Sequence, residues 1–466
     1  MPTRFRPRDI AKALADARPL PVWWEDQEPG PDTDRLSGDI NADLVIVGGG
    51  LTGLWAAIEA VTRQPGRSVV LLEGSHVAAG ASGRNGGFVS PSLTHGLSHG
   101  AATWPDELLQ MGHRNLVEIE ELLARENVDA QLRLCGKTTV ATRPHEVAAL
   151  HELHALHRVH RLESTYLTAE QVRADVHSPT YLAGLSTPAG GLVHPVRMTT
   201  GLRDVALQKG VVLHEGSRVA SLHRDGIDMV CSTAHGSVRT GQVLLATNAF
   251  PPLLRRIRQF VLPVWDHVLA TEPLTPEQLS RIGWADNQGL TDAGNQFHYY
   301  RRTADDRIVW GGYDAIYYFG NRTEAAREQR DSSHWLLTEQ FYATFPQLED
   351  VRMSHRWAGV IDTTSRFTPL FGTAFGGRVA YAVGYTGLGV ASSRFGAQVA
   401  LDLLARQETE RTELSMVRRR PVPFPPEPLR WTAVQTTRRA LAREDERGRR
   451  GLLLRTMDRF GIGFNS

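Results

Sequence analysis

The sequence predicts an α/β protein in two parts: a Rossmann-like domain on a parallel sheet, and a second, α+β domain built on an antiparallel sheet. Three observations predict it. A continuous apolar run, a glycine turn and a helical pattern follow one another from residue 43. The same succession returns from residue 379. Between them lie helical stretches and short strands unlike either end, so the first domain is assembled from separated pieces of chain.

Composition sets the bounds. A chain of 466 residues is too long for one ordinary core. With 41% hydrophobic and 22% charged residues it has the profile of a packed protein. A net charge of +1 gives no reason to expect nucleic acid or an anionic membrane as partner. The two cysteines, Cys135 and Cys231, cannot build a disulfide framework and read as ordinary buried thiols. The N-terminal stretch lacks an apolar signal segment, and no run approaches the ~20 apolar residues that span a bilayer. The expectation is a cytoplasmic enzyme.

Residues 1–42 form an irregular lead-in carrying the pair Trp23-Trp24. Asp43 to Val47 is a short apolar run, as a strand buried on both faces requires. A helix follows through Trp55, Ala57 and Ala60, and Arg67 to Glu73 makes a second buried strand. The turn between them, Gly48-Gly49-Gly50-Leu51-Thr52-Gly53, fits G-x-G-x-x-G. There Gly48 permits the tight turn, Gly50 lets the backbone approach a pyrophosphate, and Gly53 lets helix pack on strand. The helix N-terminus then faces the phosphates with unpaired N–H groups. Glu73, twenty residues after Gly53, is placed to accept ribose hydroxyls and to repel a 2′-phosphate.

Residues 106–175 read as helical, 210–246 as short strands and turns, and 255–350 as strands with a helix near 331–345. From 379 to 405 strand, glycine turn and helix recur, with the helix starting near Val390. The expected domains are 43–105, 190–250 and 355–405 for the nucleotide part, and 106–189 and 251–354 for the substrate part. A C-terminal extension, 406–466, ends in one Arg-rich amphipathic helix that docks on the body or on a second subunit, as in a homo-oligomer. His145, His151, His154, His157 and His160 share one predicted helix, the last four three apart. Each step of three slips by about 60° around the axis, so they read as a solvated face, and no metal site is expected.

Ala79-Gly-Ala-Ser-Gly-Arg-Asn-Gly-Gly87 is crowded with small residues. It suits an extended loop lying flat against a planar ring, where side chains would obstruct. With GGGLTGL and Glu73, the LLATNAF strand end at 244–250 and YAVGYTGLGVASSRFGAQVALDLL near the end, this loop resembles the D-amino-acid-oxidase-like FAD oxidoreductases. The likeness is to the branch of gamma-glutamylputrescine oxidase and glycine oxidase, and it covers roughly residues 40–405. It implies an FAD-binding domain of glutathione-reductase type. Gly48, Gly50, Thr52, Gly53, Glu73 and Gly74 would hold the ADP half. Val219, on a central strand, would lie by the adenine. Ser82, Arg84, Asn85, Gly86 and Gly87 would lie along the flavin, with Thr247 and Asn248 closing over it. Gly384, Gly387, Leu388 and Gly389 would aim a helix N-terminus at the flavin pyrimidine, stabilising the charge that collects there on reduction. Many relatives carry Gly-His-Gly where this chain has Gly387-Leu388-Gly389, so any tuning by that histidine is absent or supplied elsewhere. Relatives that tether flavin through a histidine have it where Arg84-Asn85 stand, and a non-covalent flavin is therefore expected.

The chemistry implied is removal of a hydride equivalent from a carbon bearing nitrogen, with a small amine or amino acid as substrate and molecular oxygen as acceptor. Such a reaction needs orientation more than an acid or base. Tyr299, Tyr300 and Arg301 are candidates for an aromatic wall, or for packing of a half-buried strand. Arg356 is a candidate for a substrate carboxylate or a structural ion pair. Asp362 is a candidate for a substrate ammonium or a surface carboxylate. His267 falls where some relatives place a positive group for oxygen activation. A flavin dehydrogenase with another acceptor and a non-catalytic flavin-binding protein are the alternatives; an NAD-dependent dehydrogenase is disfavoured by the 79–87 loop.

Overall fold

A computed structural model of the chain describes residues 7–25, 27, 30, 32–97 and 106–463. The other parts of the lead-in, residues 98–105 of the first expected piece and the last three residues lie outside the described residues.

The apolar run at 43–47 becomes the inner half of the strand Gly38–Val47, whose last four residues are buried. Parallel neighbours on both sides explain that burial: Gly236–Leu245 on one and Val69–Leu72 on the other. Val379–Val383 extends the sheet in parallel beyond 236–245, and Val212–His214 does so beyond 69–72. Antiparallel Leu370–Ala374 closes one edge, and the hairpin Ser221–Asp225/Asp228–Ser232 branches from Gly236–Leu245. The helices Leu51–Arg63 and Gly389–Ala405, which follow the two glycine turns, pack side by side. Strands far apart in sequence thus set both turns at the same, C-terminal, end of one sheet.

The second sheet has eight strands in the order 353–363, 262–271, 308–312, 298–302, 289–292, 137–141, 183–187 and 165–168. Every pairing is antiparallel except that of Gly289–Asp292 with Lys137–Ala141, which belong to separate excursions of the chain and run parallel. The strand Met353–Thr363 pairs along its length with Leu262–Thr271 in this sheet, although the expectation gave residues from 355 to the nucleotide part.

Three further readings change. Residues 106–175 hold helices Asp106–Arg125, Pro144–Val159 and Ala169–Asp175, but strands Lys137–Ala141 and Thr165–Thr168 interrupt them. Those strands are too short for periodicity to separate from their helical flanks. The lead-in contains a helix, Pro7–Leu14, and buries both Trp23 and Trp24. The final helix is two, Leu429–Arg447 and Leu452–Arg459, divided where Gly448 turns left-handed at φ +65°.

The histidine row disperses. His151 stacks on Tyr166 with centroids 3.8 Å apart, His154 bonds Ser164 at 2.9 Å, and His160 pairs with Asp106 at 2.9 Å. Among the described residues no group of three or more His, Cys, Asp or Glu is arranged to hold a metal, and no helix is long and apolar enough to cross a membrane.

Candidate active site

The first glycine turn is set by its neighbours. Gly48 sits at φ +112°, and a Cβ there would stand 2.4 Å from the carbonyl oxygen of Ala246. At Gly50 a Cβ would approach Ser82 Oγ to 2.8 Å, so only a hydrogen leaves that hydroxyl its place at the start of the helix. Ser82 Oγ accepts the Leu51 N–H at 2.9 Å. Glu73 accepts the N–H groups of Gly49 at 2.7 Å and Ser75 at 2.8 Å. Burial pushes its carboxyl up, against those two donors. Two bonds leave about half of a carboxylate's roughly four acceptor sites open for hydroxyl donors.

Two nearby expectations need correction. Val219, 8% exposed, lies in the connection between Val212–His214 and Ser221–Asp225 rather than on a strand. That connection is still held beside Glu73, whose carbonyl accepts the Ser217 N–H at 2.7 Å, and Gly74 lies against Arg218. The Thr52 side chain is turned inward, donating its hydroxyl to Tyr385 Oη at 3.1 Å; only its backbone remains on the side of the turn.

The loop 79–87 is compact rather than extended. It contains a 3-10 turn, Ala81–Gly83, and Asn85 folds it upon itself. Asn85 Nδ2 donates to the carbonyls of Ala81 at 3.0 Å and Ser82 at 2.8 Å, while Oδ1 accepts the Gly87 N–H at 2.8 Å. Two indoles hold it from outside: Trp23 Nε1 donates to Asn85 O at 2.9 Å, and Trp357 Nε1 to Arg84 O at 2.9 Å. The Arg84 guanidinium points away from the turn, bonding Ala79 O at 2.7 Å and Ala358 O at 3.0 Å and pairing with Glu328. Gly86 is small for a protein reason, since a Cβ there would lie 2.5 Å from the Tyr299 ring.

The late turn, Gly384 to Gly389, is stapled by Asp362. Its carboxylate accepts the N–H groups of Gly384 at 2.5 Å and Tyr385 at 3.1 Å, and its own carbonyl accepts that of Thr386 at 3.1 Å. Asp362 is 4% exposed, and burial pushes its carboxyl up to about 7. It is neither a surface carboxylate nor an ammonium anchor: it positions the turn. Leu388 stands at the start of the helix without a side-chain cap, and a Cβ on exposed Gly387 would meet Ile361 Cδ1 alone, at 4.0 Å. Thr247 and Asn248 follow Gly236–Leu245, with Asn248 at φ +49° and its Nδ2 3.5 Å from Val360 O.

The second sheet presents one face to these turns. Directly opposed residues share a face and successive residues alternate. Asp266 opposes Gly359, and Tyr299 Oη donates to Asp266 Oδ2 at 2.6 Å. On the same face Gly359 abuts Arg84, Ile361 reaches Gly387, and Tyr299 abuts Gly86. Although protein surrounds them, Asp266, Tyr299, Gly359 and Ile361 are each only partly buried, so the turns do not seal this face. Burial pushes the Asp266 carboxyl up to about 6.

The alternation turns the three expected catalytic residues to the opposite face. Tyr300 is wholly buried, hydrogen-bonded to Tyr181 Oη at 2.7 Å and packed among Trp284, Trp310 and Phe345. His267 lies edge-on to His334 at 5.3 Å, and burial pushes it down to about 3, so it holds no charge for oxygen. Arg356 pairs with exposed Asp331 at 2.9 Å. One residue of offset exchanges core for cavity. Tyr300→Phe is accordingly expected to lower stability by about 1 kcal/mol through the lost hydrogen bond while leaving kcat/KM unchanged, as thermal melts and steady-state kinetics will read. Asp266 escaped the sequence reading; its signal was the alternation within Leu262–Thr271, where it takes the face opposite His267.

Comparison with known proteins settles the family. Residues 43–403 match DAO, the family described as FAD dependent oxidoreductase. The chain belongs to that family. Gamma-glutamylputrescine oxidoreductase of Escherichia coli (strain K12) is 30% identical over 389 residues, covering 81% of this chain and 87% of that protein. The probable oxidoreductase OrdL of Haemophilus influenzae is 27% identical over 377 residues, 78% of this chain and 83% of that one. The fold is shared with glycine oxidase from Geobacillus kaustophilus, at a TM-score of 0.67 and 19% identity over 80% of this chain and 96% of that one. The protein is thus an FAD-dependent oxidoreductase of the amine and amino-acid oxidase type. The tight turn at Gly48, the free acceptors of Glu73 and the two helix N-termini fit that cofactor.

Proposed function

We propose that this DAO-family enzyme oxidises the C–N bond of a small amine or amino acid by hydride transfer to non-covalently held FAD, giving an imine, with molecular oxygen as acceptor and hydrogen peroxide as its product. The observation that carries this reading is the partly exposed Tyr299–Asp266 pair, on the sheet face that meets the 79–87 loop at Gly86 and the late turn at Gly387. Support comes from the relative whose name gives gamma-glutamylputrescine, itself an amine, as its substrate.

In this reading Gly48, Gly50 and Gly53 with the helix amides that follow Leu51, whose own N–H is taken by Ser82, receive the pyrophosphate, and Glu73 takes the ribose hydroxyls. Gly74 and Val219 adjoin the adenine. Ser82, Asn85, Gly86, Gly87, Thr247 and Asn248 border the isoalloxazine, and Gly384, Gly387, Leu388 and Gly389 bring the second helix N-terminus to it. FAD supplies the hydride acceptor. The protein supplies position: the Tyr299 ring and the Asp266 carboxylate hold the amine, and the packed sheet keeps water away. No His or Cys stands between Ala79 and Gly87, which accords with a non-covalent cofactor.

The test is direct. Acid precipitation should leave the yellow colour in the supernatant. Anaerobic mixing with polyamines, N-methyl amino acids and glycine derivatives should bleach the flavin for at least one of them, and air should restore it with one hydrogen peroxide per turnover. Failure of every amine to bleach it would overturn the proposal.

A further inference from the structure

We infer that this enzyme recognises its substrate as a cation, through Asp266 and Tyr299, and that the substrate carries no carboxylate on the carbon beside the reacting nitrogen. The inference rests on the amine-oxidising function proposed above and narrows its substrate class.

The first ground is an unbalanced charge. Asp266 is enclosed by protein, yet its hydrogen-bond donors are neutral: the Tyr299 hydroxyl at 2.6 Å and the backbone N–H of Gly312. Among the described residues no arginine, lysine or histidine forms an ion pair with it. His298, the nearest cationic candidate, is bonded to Asp292 at 2.5 Å. A carboxylate removed from water is costly unless a cation and hydrogen bonds compensate it. This one is only partly buried, so an ammonium can reach it.

The second ground is the disposition of the cations. A carboxylate on the substrate would need an accessible guanidinium on this face; two of the nearby arginines are in ion pairs and the third is buried. Arg84 pairs with Glu328. Arg356 pairs with Asp331 on the far side of the sheet. Arg301 is in no ion pair but is closed off at 2% exposure, donating to Val193 O at 2.6 Å and Arg302 O at 3.2 Å and lying over the Trp23 ring at 5.4 Å. What remains beside Asp266 is apolar or neutral: Val264, Gly359 and Ile361. A carboxylate entering here would meet a like charge and no partner.

The experiment uses holoenzyme and three pairs of compounds differing by one carboxylate: putrescine and ornithine, cadaverine and lysine, butylamine and norvaline, the amino acids as both enantiomers. Rates of anaerobic flavin reduction are measured across concentration. The amine of at least one pair is expected to reduce the flavin with an apparent second-order constant at least about 100-fold above its amino acid. Asp266→Asn is expected to raise KM for that amine about 100-fold, with a much smaller change in kcat and with the flavin-to-protein ratio unchanged. Tyr299→Phe, which keeps the ring, should raise KM in the same direction by less. Equal or faster reduction by the amino acids overturns the inference and leaves the oxidase reading standing. So does an unchanged KM in Asp266→Asn. If no amine of any class bleaches the flavin, the oxidase reading itself fails.

Discussion

Replacing Gly48 with alanine is expected to yield a colourless, destabilised protein. At φ +112° a side chain adds backbone strain of about 1–3 kcal/mol, and the new Cβ would lie 2.4 Å from the Ala246 carbonyl oxygen. That oxygen cannot yield cheaply, because the Ala246 N–H is bonded to Val47 O at 2.9 Å in the centre of the sheet. Relief requires the turn to move, and in the function proposed above this turn presents the helix N-terminus to the phosphates. Against a native margin of about 5–15 kcal/mol the loss is large. The ratio of absorbance at 450 nm to that at 280 nm, with a thermal melt, checks it. Gly241→Ala is the control, since a Cβ there meets nothing within 4 Å and both readings should stay put.

Asp362→Ala is expected to be nearly as severe. It strands the amides of Gly384 and Tyr385 in a buried place, at about 1–3 kcal/mol each. The turn then loses its staple, and flavin should dissociate faster as well as the melt falling. The Asp362→Asn variant isolates the charge. Burial sets the folded carboxyl at about 7, above its ordinary 3.8, so the native state favours the proton. The stability this contributes is complete below 3.8 and is lost as pH rises through about 7. Measured from pH 4 to 8, wild type should therefore lose ground steadily to Asp362→Asn; parallel melting curves would refute the assignment.

The nucleotide half was legible in the sequence because its signals are local. A buried strand, Gly48 to Gly53 and Glu73 occupy some thirty consecutive residues, and both glycine turns lie where periodicity put them. The loop 79–87 was located correctly but misread in shape. Small residues there accommodate Tyr299 and a fold closed by Asn85, and neither partner can be seen from composition. The face proposed for the substrate was not legible, because it depends on which parity of each strand points inward. Tyr299 and Tyr300 are equivalent until the register with Gly311 and Trp310 is known. Asp266 and His267 are likewise equivalent until Gly359 and Ala358 stand opposite them. The short strands at 137–141 and 165–168 were hidden by the helices around them.

The Thr52–Tyr385 hydrogen bond joins residues 333 positions apart, and with it the two glycine turns become one surface. At about 5–20 residues per second on the ribosome, the first turn is finished on the order of tens of seconds before the second emerges. Cofactor capture is therefore a late, post-assembly event in the life of each polypeptide. Nascent chains arrested before residue 384 should emerge colourless, however well their leading strands have paired.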